Sequence, residues 1–135
     1  MDNIKININF SASDEEVEIF GSSCEMLSFK NIITEFERDG NQYAEFKISN
    51  NCDRSAYPTK IEYVNFILSI ENNTFKVVDN TFIISGNSDF ISNFICNIPT
   101  EYDSNSNVSY HVHYDRVSFG KLLSSESLDL VMAVS

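Results

Sequence analysis

Basic residues are scarce in this chain. Nine Lys and Arg stand against 20 Asp and Glu, a formal net charge of −11. A nucleic-acid or anionic-membrane binder needs cations to meet phosphates, so both classes are disfavoured. The acids do not form a tail. The first 75 residues hold 13 acids and six bases, and the remainder hold seven and three. The field of such a chain steers basic proteins toward it.

Glycine is also scarce. Only four are present, none in a G-x-G-x-x-G or G-x-x-x-x-G-K-[ST] pattern, and no G-x-S-x-G occurs. Phosphate-cradling loops and the hydrolase nucleophile elbow are therefore missing. The three cysteines, Cys24, Cys52 and Cys96, are odd in number and form no C-x-x-C. That argues for reduced thiols rather than a disulfide framework. No apolar run approaches the roughly 18 residues of a membrane helix. The opening "MDNIKININF" starts with an acid and alternates, unlike a signal peptide. A cytoplasmic protein of one domain, residues 1–135, is the expectation.

What is present suffices for a core: 42% of residues are hydrophobic and 11 are Phe. A weak internal repeat organises them. "EVEIFGSSCEMLSFKNIIT" (16–34) and "NTFIISGNSDFISNFICNI" (80–98) each run from a β-rich stretch through a Gly to an amphipathic pattern. Met26, Leu27, Phe29, Ile32, Ile33 and Phe36, then Phe90, Ile91, Phe94, Ile95 and Ile98, recur at three and four, the spacing of a helix lying on a sheet. Ser22 or Ser23 and Asn87 or Ser88 suit the N-caps, with Glu25 and Asp89 in the first turns. Gly40 is a plausible C-cap, and Pro99 stops the second helix near Asn97.

Each helix is followed by an alternating strand (42–49, 109–115), a loop, and a strongly apolar strand (61–70, 128–134). The order strand–helix–strand–strand thus occurs twice, over about 16–70 and 80–134, after an extra strand at 4–10. The expected fold is α+β: one mostly antiparallel sheet of six or seven strands, with two helices on one face and the other face open. Alternation turns Ile4, Ile6 and Ile8, Phe46 and Ile48, Val64, Phe66 and Leu68, and Leu130, Met132 and Val134 inward. Lys5, Asn7 and Asn9 turn outward, as do Tyr43, Glu45 and Lys47, and Asp129 and Val131.

"YHVHYD" (110–115) holds both histidines. Period-two alternation places His111, His113 and Asp115 on the solvent side of a strand, about 6–7 Å apart at each step. Two such imidazoles could share a zinc ion, but a third ligand is needed, and Asp115, Glu45 and Asp129 are weak candidates. The pattern is equally that of polar surface, so no metal or other cofactor is expected. By the repeat, His111 and His113 correspond to about Glu45 and Lys47. Cys24, at a helix start, could be a reactive thiolate or simply a small first-turn residue.

"FIISGNSDFISNFICNI", "YHVHYD" and "SLDLVMAV" together resemble a small family of immunity proteins from bacterial polymorphic-toxin systems. The resemblance covers about 80–134, with 16–70 as a degraded copy that lacks the histidines. It implies a non-enzymatic protein that binds and neutralises a cognate toxin by occlusion, with no catalytic residues. An acidic inhibitor would suit a basic toxin or nuclease domain. The expected binding surface is the open face around His111, His113, Asp115, Glu45 and Tyr43, or the acidic loops. Two alternatives stand beside it: a metal-binding module or metal-dependent enzyme using His111 and His113, and a homo-oligomer pairing exposed sheet edges.

Overall fold

The computed structural model describes residues 3–50, 56–69, 73–100, 111–114, 123–124 and 126–134. The first alternating run is one line of chain in two pieces, β1 (Asn3–Lys5) and β2 (Asn7–Ser11). Ile4, Ile6 and Ile8 are buried along it, and the chain passes from one sheet to the other at Ile6. A turn over 12–15 leads to β3 (Glu16–Gly21). Helix α1 (Ser23–Arg38) starts on a full capping box. The Ser22 hydroxyl accepts from the Glu25 amide, and the Glu25 carboxylate accepts from the Ser22 amide. Asp39 closes the helix, and Gly40 follows at φ +70°, a conformation that glycine adopts without strain.

The chain continues through β4 (Tyr43–Ser49), β5 (Thr59–Lys60) and β6 (Tyr63–Leu68). Next come β7 (Thr74–Val78) and β8 (Thr81–Gly86), joined by a two-residue turn at Asp79-Asn80. Asp79 has φ 55°, the left-handed backbone such hairpin turns demand and Asp tolerates. Asn87 caps α2 (Ser88–Cys96) by accepting from the Phe90 amide at 2.8 Å. β9 (His111–Tyr114) and β10 (Asp129–Val134) complete the order.

The fold is α+β with two helices, but the single sheet gives way to two mixed sheets of five strands. Their orders are β1-β4-β6-β8-β7 and β5-β2-β3-β10-β9. The junctions β1–β4, β6–β8 and β3–β10 are parallel, so the pairing is not uniformly antiparallel. The cause lies in the helices. Each carries the chain from one sheet to the other, β3 to β4 by way of α1 and β8 to β9 by way of α2. In both sheets a hairpin preceding one helix therefore lies beside a strand pair following the other.

Both helices and both sheets share one core. The Phe66 ring on β6 meets Phe36 of α1 and Phe94 of α2, with centroids 5.8 and 6.1 Å away. Phe94 also meets Tyr114 on β9, in the second sheet. The outer edge of β7 is bonded by the chain leading into β10. The Leu128 amide donates to the Phe75 carbonyl, and the Phe75 amide to the buried Ser127 hydroxyl, at 2.8 and 2.9 Å. Three residues depart from the expected facing, among them Asn9, which is fully buried on β2 and accepts from the Asn50 amide at 3.4 Å. Leu68, at the end of β6, is 38% exposed, whereas Val131 is only 7% exposed on the side expected to meet solvent.

Candidate functional site

The outer side of the first sheet is built from alternate residues of four strands. Its registered rows are Tyr43–Ile67–Ser85–Thr74, Glu45–Asn65–Ile83–Lys76 and Lys47–Tyr63–Thr81–Val78. Tyr43 and Glu45 sit together there, as expected of neighbours at i and i+2 on one strand. The Tyr43 hydroxyl donates to Glu45 Oε2 at 3.5 Å. The Asn65 amide nitrogen, turned toward β4, donates to the same oxygen at 3.0 Å. This corner is a held carboxylate beside an exposed phenol.

His111 and His113 lie in the other sheet, on β9, opposite Ala133 and Val131 of β10. Glu45 and Tyr43 therefore do not share their sheet, and neither residue facing the histidines across the ladder is a metal ligand. The two histidine side chains and Asp115 lie outside the described residues. Among the described residues, no group of three or more His, Cys, Asp and Glu converges as metal ligands.

The two parallel junctions can be laid over one another by the glycines that end them. Gly86 ends β8 opposite Leu68, and Gly21 ends β3 opposite Val134. Counting back from these pairs aligns Ile67 with Ala133 and Asn65 with Val131. Their antiparallel partners are Tyr43 and His111, then Glu45 and His113. On that superposition His111 falls level with Tyr43 and His113 with Glu45, whereas the sequence pattern set them level with about Glu45 and Lys47.

The second sheet carries an acidic sector drawn from two separate stretches of the sequence, 14–18 and 129. Glu16 and Glu18 alternate with buried Val17 and Ile19 on β3. Asp129 on β10 is registered beside Glu16, and Asp14 and Glu15 lie in the adjoining turn. β2, β3, the turn between them and β10 contain no Lys, Arg or His. The phenol of Tyr57 donates to Glu16 at the edge of this sector. Its pKa is raised well above 10, first by burial, then by that bond, then by the charges of Glu16, Glu18 and Asp14. Sequence reading missed Tyr57, because its partner is 41 residues away and no local pattern marks it.

A cleft of about 300 Å³ opens where β4 ends beside β5 and β6. Lys47, Ser49, Asn50, Lys60, Glu62 and Tyr63 line it, and the Asn80 amide donates to Glu62. Cys24 and Cys96 are both exposed free thiols. Among the described residues no helix is long and apolar enough to cross a membrane. No protein-family model, no characterised protein and no solved structure matched this chain.

Proposed function

We propose that this chain is a cytoplasmic binding protein of the immunity class, which neutralises a basic toxin domain by covering it. The observation that carries the reading is the acidic sector of Asp14, Glu15, Glu16, Glu18 and Asp129 on the second sheet and its turn. Five carboxylates on a folded surface, within a chain of net charge −11, attract a cationic partner over long range. They can also occupy the positions at which a nuclease would hold phosphates. Occlusion needs no catalytic group and no cofactor.

The outer side of the first sheet is a secondary contact in this reading, through Tyr43 and Glu45. The two halves are copies of one strand–helix–strand–strand unit, each with a leading strand. Support for this comes from the matched order β2-β3-α1-β4-β6 and β7-β8-α2-β9-β10, and from Gly21 and Gly86 at equivalent strand ends.

The test is calorimetric titration of the purified protein with the product of an adjoining toxin gene, alongside protection of cells expressing that toxin. A 1:1 complex that weakens with salt, together with rescue of growth, is expected. A toxin that neither binds nor is neutralised would remove the assignment.

A further inference from the structure

The cleft at the end of β4 lies on the seam between the two sheets. Lys47 reaches it from β4 in the first sheet, and Lys60 from β5 in the second. Tyr63 is registered beside Lys47, so its side chain leaves β6 on the same face. Lys5 is registered beside Ser49, another lining residue, and emerges on that face too. Six of the nine bases belong to the described residues, and three of those six, Lys5, Lys47 and Lys60, border this one opening.

The charge here runs against the rest of the chain. Net charge is −11, yet three lysines border the cleft and one carboxylate, Glu62, lines it. Glu62 is engaged elsewhere, accepting from the Asn80 amide. The one ion pair among the described residues joins Arg38 to Asp39, so no described carboxylate neutralises Lys5 or Lys47. Cations gathered in this way repel one another, and an anion between them relieves the repulsion. Next to Lys60 on the ladder stands Asn9. Its Oδ1 accepts from Asn50 of the lining. Its Nδ2 is, among the described residues, the only buried side-chain polar atom without a hydrogen-bond partner. An unmatched buried donor beside the cleft adds to the positive field there.

We infer that this cleft binds a compact dianion of the phosphate class, free phosphate or a small phosphate monoester, between Lys47 and Lys60. A volume of about 300 Å³ stands at the small end of ligand sites and suits such a molecule. Each lysine is a point charge with three donors, able to meet phosphate oxygens from its own side. The Tyr63 hydroxyl on the same lining can donate to a further oxygen. A long polyanion is disfavoured, because it would also meet the acidic surface beyond the cleft, whereas a small ligand meets the local field alone. The inference does not rest on the proposed function.

The experiment is an amide NMR titration of the full-length protein with inorganic phosphate, at constant ionic strength and a pH above its second ionisation. Saturable shifts confined to 47–50 and 60–63 are expected, with none on adding sodium chloride and weaker binding of acetate. Lys47 and Lys60 are both exposed, so Lys47→Gln with Lys60→Gln leaves the core untouched. That double variant should raise the dissociation constant about 10-fold or more, since two charged hydrogen bonds are lost. Lys76→Gln, on β7 at the far edge of the first sheet, should leave it unchanged. Glycerol phosphate separates the two sources: tighter binding than free phosphate identifies a monoester, and equal binding identifies phosphate itself. Shifts that scatter over the surface without saturating would overturn the inference. So would acetate binding as tightly as phosphate, or native affinity in the double variant.

Discussion

Phe75 on β7 and Tyr114 on β9 meet edge to face, ring centroids 5.7 Å apart with planes at 79°. They belong to different sheets, so this contact joins the two sheets directly within the shared core. Phe75 also touches Phe82, Phe90 and Phe94, which makes it a hub of the core. Replacing it with Ala should cost about 3–5 kcal/mol in urea unfolding, because the fully buried ring leaves a cavity its neighbours cannot fill. In a double-mutant cycle, Phe75→Leu and Tyr114→Leu should couple by about 0.5–1.5 kcal/mol. Additive costs would show that the ring contact contributes nothing beyond burial.

Tyr114 supplies a pH dependence. Its hydroxyl donates to Asn93 Oδ1 at 2.7 Å and accepts from the Asn97 amide at 3.0 Å. Burial, opposed by the Asn97 bond, pushes its pKa up from 10.0 to about 12. The folded chain therefore holds this proton more tightly than the unfolded chain does. That contribution is complete below pH 10 and is lost as the pH rises from 10 toward 12. Unfolding free energies of the native protein and Tyr114→Phe should differ by a constant below about pH 9. Above pH 10 the native protein should lose ground by up to about 1.4 kcal/mol per pH unit. Tyr57 titrates in both proteins and cancels in the difference. A difference that stays flat to pH 11.5 would contradict the raised pKa.

Features set within a few residues were legible in the sequence. Ser22 with Glu25 and Asn87 with the Phe90 amide act three residues apart, and both caps stand as read. Facing was legible for Ile4, Ile6, Ile8, Val64 and Phe66, since pleating fixes it residue by residue. Strand partners were not, because a parallel neighbour leaves no mark on the chain it joins. β7 went unread altogether. Of its five residues only Phe75 is fully buried, so its alternation is weak. The Asp79-Asn80 turn before a run of β-branched residues was the available signal. Grouping His111 and His113 with Glu45 and Tyr43 failed for the same reason: which sheet a strand joins is decided by the helix crossover.

Gly21 and Gly86 hold equivalent places at the ends of β3 and β8, yet they should differ in tolerance to substitution. A Cβ on Gly21 would meet Cβ and Oε1 of Glu25, each at 3.1 Å, so the first turn of α1 must give by only a few tenths of an ångström. A Cβ on Gly86 would strike the Phe90 ring and lie 2.5 Å from Asn73 Oδ1. Phe90 is fully buried and has nowhere to retreat. Gly21→Ala should therefore cost about 1 kcal/mol or less, and Gly86→Ala about 2–4 kcal/mol. Equal melting temperatures for the two variants would count against this packing.

The acidic sector makes a prediction that separates steering from contact. Glu18→Gln and Asp129→Asn remove charge while keeping shape, and neither touches the Tyr57 bond to Glu16. Against a basic partner the double variant should associate about 10-fold more slowly at low salt, with a smaller change in dissociation rate. The deficit should shrink as ionic strength approaches 0.5 M, because exposed charges are screened beyond a few ångströms there. Tyr43→Ala, on the first sheet, should leave the association rate unchanged and speed dissociation, because that face makes the secondary contact. Stopped-flow association across a salt series distinguishes these outcomes. A double variant that associates at the native rate at every salt concentration would place the binding surface elsewhere on the molecule.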